Sequence, residues 1–225
     1  MLFEKNKIQE GVFLFVLCIF CFALSILRVF FSETNSFIFL NWNLFLAFIP
    51  WALTSAAIVF PVMQKRWISI FAIFSVWLLF FPNAPYILTD LFHLRSQHVM
   101  PIWFDLVLIL CFAWTGLLFG FLSLWDLEQI LKKRWNQYFV TFLSVALLFV
   151  GSYGIYLGRY LRWNSWDLLE EPFQLIYAIG NQVLNPLSHT RAWGMTLAMG
   201  IFLNIIYWSF HFIRSRAIYQ SVNVR

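Results

Sequence analysis

The sequence predicts an all-α, polytopic membrane protein with six transmembrane helices. Of its 225 residues, 62 % are hydrophobic, 21 % are aromatic and only 11 % are charged. Soluble domains carry about 45–50 % apolar and about 25 % charged residues, so this composition excludes an ordinary soluble domain, a disordered chain and a coiled coil. The second observation is a series of long apolar runs, because a helix needs about 20 apolar residues to cross a bilayer core.

Six runs are long enough, or nearly so, to cross the bilayer. They are Gly11–Phe31, Phe37–Phe60, Trp67–Phe81 with its continuation, Pro101–Trp125, Tyr138–Gly158 and Trp193–Ile213. No internal repeat, low-complexity segment or linker separates them in the sequence. We therefore expect a single integral membrane domain over residues 1–225.

The basic residues predict the orientation of the helices. Ten of them fall on the side of the N-terminus, namely Lys5, Lys7, Lys65, Arg66, Lys132, Lys133, Arg134, Arg214, Arg216 and Arg225. The other side carries five, namely Arg28, Arg95, Arg159, Arg162 and Arg191. Lysine and arginine are enriched in cytoplasmic loops, so we expect a multi-pass protein of the inner (cytoplasmic) membrane with both termini in the cytoplasm. This topology explains the net charge of +5, and we expect membrane lipids and no nucleic acid as partners.

The third run contains the least regular segment. Trp67–Phe81 covers only about 22 Å at 1.5 Å per residue, and Pro82 and Pro85 then interrupt backbone hydrogen bonding. We expect a third helix broken at this Pro-Asn-Ala-Pro segment, in the outer leaflet, with Asn83 capping a new helix that continues through His93. Broken helices at membrane depth occur where protein or a water-filled cavity covers the freed backbone groups.

Further polar residues lie at a similar depth, where they are costly and therefore informative. Arg28 ends the first span, Asn41 and Asn43 begin the second, and Asp105 lies one turn into the fourth, where a helix N-terminus favours a carboxylate. We therefore expect a polar site on the outer face and plainer cytoplasmic halves. The candidate ligand-binding residues are Asn83, Tyr86, Asp90, His93, Asp105, Arg159, Arg162, Asn164 and Asp167.

Two interpretations of these polar residues stay open. The carboxylates of Asp90 or Asp105 can pair with Arg28, Arg159 or Arg162 merely to neutralise buried charge. Alternatively, the residues form a site for a ligand, an ion or a substrate. In that case the arginine pair at 159 and 162 suits a phosphate or carboxylate, such as an anionic lipid headgroup or a sugar phosphate on a lipid carrier.

Asp90 and His93 are weak candidates for metal ligands, because residues three apart share a helix face. Asp105, His98 or Asp167 would supply the further ligands of such a metal site. The same pair can also act as a base and an acid. No zinc-protease, nucleophile-elbow, Walker or dinucleotide motif occurs, so the catalytic residues and cofactor stay unknown. Three classes remain: an anion-binding protein for transport or envelope-precursor handling, a membrane-embedded hydrolase or transferase acting on lipids, and a non-catalytic accessory subunit.

The connection between the fifth and sixth spans predicts a further helix. Pro172 suits its first turn, apolar residues follow at helical spacing, and Asn185-Pro186 ends it. We expect this helix to lie on the outer membrane surface or to dip into it. Packing against the protein surface is the favoured role, and a lid is the alternative.

Two pairs of glycines predict close approach of helices. Gly116 with Gly120, and Gly154 with Gly158, have the small-xxx-small spacing at which membrane helices approach closely. Packing within the chain is the favoured interpretation. A homodimer through these glycine-lined helices is the alternative.

Several segments also resemble one known family. The segments are Phe81–Leu91 with His93-Leu94, Pro101–Asp105, Gly158–Asp167 and Asn41–Ala47. They are similar to the signature of an uncharacterised bacterial integral membrane protein family, domain of unknown function 1361. The resemblance covers most of the chain and implies a small bacterial membrane protein. It supplies no catalytic residue.

Overall fold

A computed structural model describes residues 2–94 and 100–223, without the side chains of residues 2–6, 169 and 214–223. The described residues form helices and no β-strand. The helices are α1 (Leu2–Ser32), α2 (Phe39–Val59), α3 (Trp67–Phe80), α4 (Asn83–Tyr86), α5 (Ile102–Leu131), α6 (Gln137–Tyr160), α7 (Asp167–Glu170), α8 (Pro172–Leu184) and α9 (Thr190–Asn223). Short 3₁₀ helices occupy Pro61–Gln64, Ile87–His93 and Pro186–His189. The predicted all-α fold is therefore confirmed.

Six helical stretches of this described part are long and apolar enough to cross a membrane. They are Lys7–Ser32, Phe39–Val59, Trp67–His93, Ile102–Leu131, Gln137–Tyr160 and Pro186–Ile213. Each contains or overlaps one of the six predicted runs. The chain is accordingly a multi-pass membrane protein.

The chain divides into two compact units, Met1–Val140 and Thr141–Arg225. Each unit is described by itself below. The expectation of a single integral membrane domain stays a prediction.

Helix α5 is the centre of the first unit. It packs against α1, α2, α4 and the 3₁₀ helix Ile87–His93, while α2 also packs against α3 and α4. From Leu108 to Leu131 nearly every side chain of α5 is buried. Its first turns are more open, since Ile102 and Trp103 are exposed. Polar residues within α5 are therefore held deep in protein rather than against lipid.

The third span is interrupted where the prolines predict. Pro82 keeps right-handed helical dihedral angles (φ −60°, ψ −24°), so the chain continues in the same direction. The hydrogen bonding changes at this point, because the amide of Ala84 donates to the carbonyl of Phe81 at 3.1 Å, three residues back instead of four. The segment therefore breaks the α-helical pattern without turning the chain around.

Two details of this segment differ from the expectation. Asn83 does not cap the following helix, because its Nδ2 donates backwards to the carbonyl of Phe80 at 2.9 Å. The new α-helix also ends at Tyr86, and the chain continues to His93 as a 3₁₀ helix. The amide of Asn83 thus satisfies a carbonyl at the end of α3, which is one of the groups left without a partner when a helix ends.

The glycine pair of α5 provides room for α4. A Cβ atom on Gly116 would lie 2.9 Å from the carbonyl oxygen of Ala84 and 2.8 Å from Cδ1 of Ile87. A Cβ atom on Gly120 would lie 2.9 Å from Cβ of Ala84. These glycines therefore serve close packing within the chain, as the favoured interpretation expected. The homodimer stays a prediction.

The second unit contains α8 between two spans. The rings of Tyr153, Tyr156 and Tyr160 stack along α6, and Trp193 of α9 stacks on Tyr153 with ring centroids 5.8 Å apart. Helix α8 begins at Pro172 and ends just before Asn185. The predicted helix in this connection is therefore confirmed.

Candidate functional site

Arg28 and Asp105 form a buried ion pair between α1 and α5. Nε of Arg28 donates to Oδ1 of Asp105 at 3.1 Å, and Nη2 donates to Oδ2 at 3.4 Å. Both residues are only 1 % exposed. Nη1 of Arg28 donates to Ser32 Oγ at 2.9 Å and also to the hydroxyl of Thr34. The guanidinium group is thus fully engaged by its neighbours, as a buried charge requires.

The loop after α1 supports the same arginine. Its guanidinium lies over the ring of Phe37, 5.1 Å from the centroid. Phe37 adopts a left-handed backbone conformation, with φ of 68°, although it is not glycine. This conformation costs about 1–2 kcal/mol, so the surrounding contacts hold Phe37 in place against that strain. For Arg28 and Asp105, the structure therefore favours the charge-neutralising interpretation over ligand binding.

Asp90 is a second buried carboxylate of the first unit. It is 1 % exposed, and its Oδ2 accepts a hydrogen bond from Nδ2 of Asn43 at 3.0 Å. Tyr86 lies one turn earlier, partly buried, and its carbonyl accepts the hydroxyl of Thr89 at 2.7 Å. Asp90 is thus held between α2 and the 3₁₀ helix, close to the interruption of the third span.

His93 is much more exposed than Asp90. The histidine is exposed, and its ring meets the ring of Phe39 edge-on with centroids 5.5 Å apart. Within residues 2–94 and 100–223, no three histidine, cysteine or acidic side chains are grouped as a metal site requires. His98, one of the further ligands considered from the sequence, lies outside the described residues. The metal site at Asp90 and His93 gains no support from the geometry.

A third cluster was missed from the sequence. It lies at the other end of α5, where Asp126 is 2 % exposed. Nζ of Lys7 donates to Asp126 Oδ2 at 2.5 Å and to Glu10 Oε1 at 2.6 Å. The indole of Trp51 donates to the same Glu10 oxygen at 2.9 Å, and Ser55 Oγ donates to Asp126 at 3.3 Å. The expectation that costly polar groups gather at one face only is therefore wrong.

The two ion pairs between α1 and α5 are separated by the same number of residues on both helices. Lys7 and Arg28 are 21 residues apart on α1, and their partners Asp126 and Asp105 are 21 residues apart on α5. The order of the partners is reversed, so the two helices run antiparallel. This equal spacing is present in the sequence, and it is the signal that could have revealed the Lys7 pair.

In the second unit, α6 ends in an unusual way. Arg162 follows the helix with φ of 59°, a left-handed conformation that glycine usually supplies at helix ends. This turn lets the amide of Trp163 donate to the carbonyl of Leu157 at 3.2 Å. The Arg162 side chain is exposed and makes no hydrogen bond or ion pair with the residues that the structure describes. Arg159 lies in the last turn of α6 and is partly buried.

Two other candidates of this connection bind each other. The backbone amide of Asn164 donates to Oδ2 of Asp167 at 2.6 Å, and its side-chain amide lies 3.4 Å from the same oxygen. The amide of Asp167 returns to the carbonyl of Asn164 at 3.2 Å. These residues form a local turn that starts α7, so their polar groups are used in shaping the loop.

Comparison with known proteins decides the family. The family model described as protein of unknown function (DUF1361) matches residues 42–206, which is most of the chain. The chain belongs to the DUF1361 family. No curated protein and no solved structure matches the chain.

The DUF1361 segment contains only one half of each ion pair between α1 and α5. Asp105 and Asp126 lie inside residues 42–206, whereas Lys7 and Arg28 lie before them. Helix α1 thus supplies the positive charges that neutralise two buried carboxylates of the DUF1361 segment.

Proposed function

We propose that this DUF1361 protein binds an anionic lipid headgroup, or a ligand of that size, at the end of α6. It does so on the outer face of a bacterial cytoplasmic membrane, with both termini in the cytoplasm. The observation that carries the proposal is the exposed guanidinium of Arg162, which has no partner among the described residues. Arginine presents a planar fork of donors that matches phosphate and carboxylate.

The neighbouring side chains support an anion site. Arg191, at the start of α9, is also exposed, and its guanidinium lies 5.8 Å from the ring centroid of Tyr160. Tyr160 is the last residue of α6, two positions before Arg162. Two exposed arginines therefore flank the same helix end. The carboxylates of Glu170 and Glu171 belong to the same connection, yet neither pairs with Arg162.

The depth of this helix end suits a lipid headgroup. Tyrosine and tryptophan are enriched at the membrane–water interface, and Tyr160, Trp163 and Trp166 all lie in or next to this turn. Phosphate oxygens of a headgroup in that layer are within the reach of long arginine side chains. Binding at this place suits a protein that handles an envelope precursor or transports a charged lipid or solute.

Native mass spectrometry of the detergent-purified protein tests this proposal. The probe is phosphatidylglycerol, with phosphatidylcholine as the uncharged reference. We expect selective retention of phosphatidylglycerol by the wild type and about tenfold weaker retention by the variant Arg162→Ala with Arg191→Ala, because a hydrogen bond to a charged group contributes about 1.5–3 kcal/mol.

Lys65→Ala with Arg66→Ala is the matched control, since both side chains are exposed between α2 and α3. It removes two positive charges, as the test variant does, without touching the second unit. Equal loss in the control would assign the effect to overall charge. Equal retention by all variants would refute the proposed site.

A further inference from the structure

Helix α8 exposes an unusually apolar face. Most of its large apolar side chains point away from the protein: Phe173 is 85 % exposed, Tyr177 77 % and Leu184 80 %, while Leu175 is buried. Gln182, a polar residue, is also buried. At 100° per residue, Phe173, Tyr177 and Leu184 lie within about 40° of one another around the helix, and Gln182 lies on the opposite side. A helix facing water would place these groups the other way round.

The buried face is held by polar contacts to both spans of the second unit. Oε1 of Gln182 accepts a hydrogen bond from the hydroxyl of Tyr153 at 2.9 Å. The carbonyl of Gln182 accepts the indole N–H of Trp193 at 3.1 Å. These bonds fix the rotation of α8 about its axis. The outward orientation of the apolar stripe therefore follows from specific contacts of the opposite face.

The same contacts give the depth of α8 relative to the spans. Tyr153 lies seven residues before Tyr160, the end of α6, which is about 10 Å along the helix axis. Trp193 lies three residues after Thr190, the start of α9, which is about 5 Å along that axis. Helix α8 therefore touches both spans inside their ends instead of lying beyond them.

The composition of α8 favours an apolar environment for the stripe. None of the thirteen residues from Pro172 to Leu184 is charged. The exposed stripe continues past the helix with Leu187, which is 89 % exposed. Charged residues return only at both sides of this stretch, with Glu171 before it and Arg191 after it. An uncharged helix with an outward apolar stripe, at a depth of about 5–10 Å, matches the position of interfacial helices in a bilayer.

We infer that the stripe of Phe173, Ile176, Tyr177, Val183, Leu184 and Leu187 is a lipid-docking surface. Helix α8 lies in the interfacial layer of the leaflet, with this stripe against acyl chains and Gln182 against the protein. Leu161 and Leu197, at the same end of the two spans, are also exposed apolar residues. The inference does not depend on anion binding, because it concerns contact with acyl chains and holds for uncharged lipid.

Site-directed spin labelling in vesicles of phosphatidylcholine tests the inference. Single cysteines are introduced as Tyr177→Cys and Leu184→Cys on the stripe, in a full-length background in which the three native cysteines are replaced by serine. Gln174→Cys is the matched control, because Gln174 is exposed on the polar flank of the same helix. Each nitroxide is then exposed to oxygen, which partitions into lipid, and to a water-soluble nickel complex.

We expect labels at positions 177 and 184 to collide with oxygen at least threefold more often than with the nickel complex, and the label at 174 to show the opposite preference. Preference for the nickel complex at all three positions would place the stripe in water and overturn the inference. Protection of the stripe labels from both agents would overturn it in favour of a protein partner, and a distance between two labels on a dimer would identify a second copy.

Discussion

Replacing Asp105 by leucine leaves the Arg28 guanidinium buried without its counter-ion, so we expect a large loss of stability. The structure gives two charge-assisted hydrogen bonds to lose, at 3.1 and 3.4 Å. At about 1.5–3 kcal/mol for each such bond, the free energy of unfolding falls by about 3–6 kcal/mol. This range agrees with the 3–5 kcal/mol usually lost when one partner of a buried pair is removed.

The double variant Arg28→Met with Asp105→Leu removes both charges and fills a similar volume. We expect it to recover to within about 1 kcal/mol of the wild type, because apolar replacement of a whole buried pair is often neutral. The hydroxyls of Ser32 and Thr34, which lose the arginine, already lie 3.0 Å apart and can bond each other. Unfolding in mixed micelles of dodecyl maltoside and dodecyl sulfate, followed by circular dichroism, measures the wild type and both variants. A double variant as unstable as Asp105→Leu alone would refute the assignment of this pair to charge neutralisation.

Three further predictions follow from the described contacts, each measured by the same unfolding assay. Gly116→Ala should cost about 1–3 kcal/mol, because its Cβ collides with the backbone of α4, whereas Gly194→Ala, which meets nothing within 4 Å, should be neutral or stabilising; equal effects would contradict the packing argument. Arg162→Gly should raise the free energy of unfolding by about 1 kcal/mol by relieving the left-handed conformation, while phosphatidylglycerol retention falls; a loss of stability would show that the side chain supports the fold. Lys7→Met should cost about 3–5 kcal/mol by leaving Asp126 buried without its ammonium partner, and Lys7→Arg should restore most of it; a neutral Lys7→Met would show that the carboxylate is balanced by other groups.

The spans could be predicted from sequence because bilayer thickness fixes their length. Helix α8 could also be predicted, because Pro172 and the Asn185-Pro186 pair mark its two ends. The Arg28–Asp105 pair was among the pairings considered, since Arg28 ends the first span and Asp105 lies one turn into the fourth, at the same predicted membrane face. Such features depend on local composition and on distance along the chain, which the sequence contains directly.

The parts that could not be predicted depend on the neighbours of a residue in space. Asp126 falls near the end of an apolar run, where counting along the helix treats a charge as solvated. In the structure α5 is surrounded by other helices, so the same carboxylate is buried and bound to Lys7. Asn83 was expected to cap the helix that follows it, but its side-chain amide donates to the carbonyl of Phe80 at the end of the helix before it. The partners of the Phe80 carbonyl and of the Asp126 carboxylate are thus determined by three-dimensional packing, which the sequence does not show directly.

The equal spacing of the Lys7–Asp126 and Arg28–Asp105 pairs fixes a length. Twenty-one residues of α-helix span about 31 Å, close to the thickness of a bilayer hydrocarbon core. Because one pair lies at each end, α1 cannot slide along α5 by a single turn without breaking both pairs. In a thinner membrane the two helices therefore tilt together, whereas a thicker membrane has to thin locally around them. The pair of helices α1 and α5 therefore has a constant hydrophobic length. It lies along the membrane normal only in membranes whose hydrocarbon core matches that length.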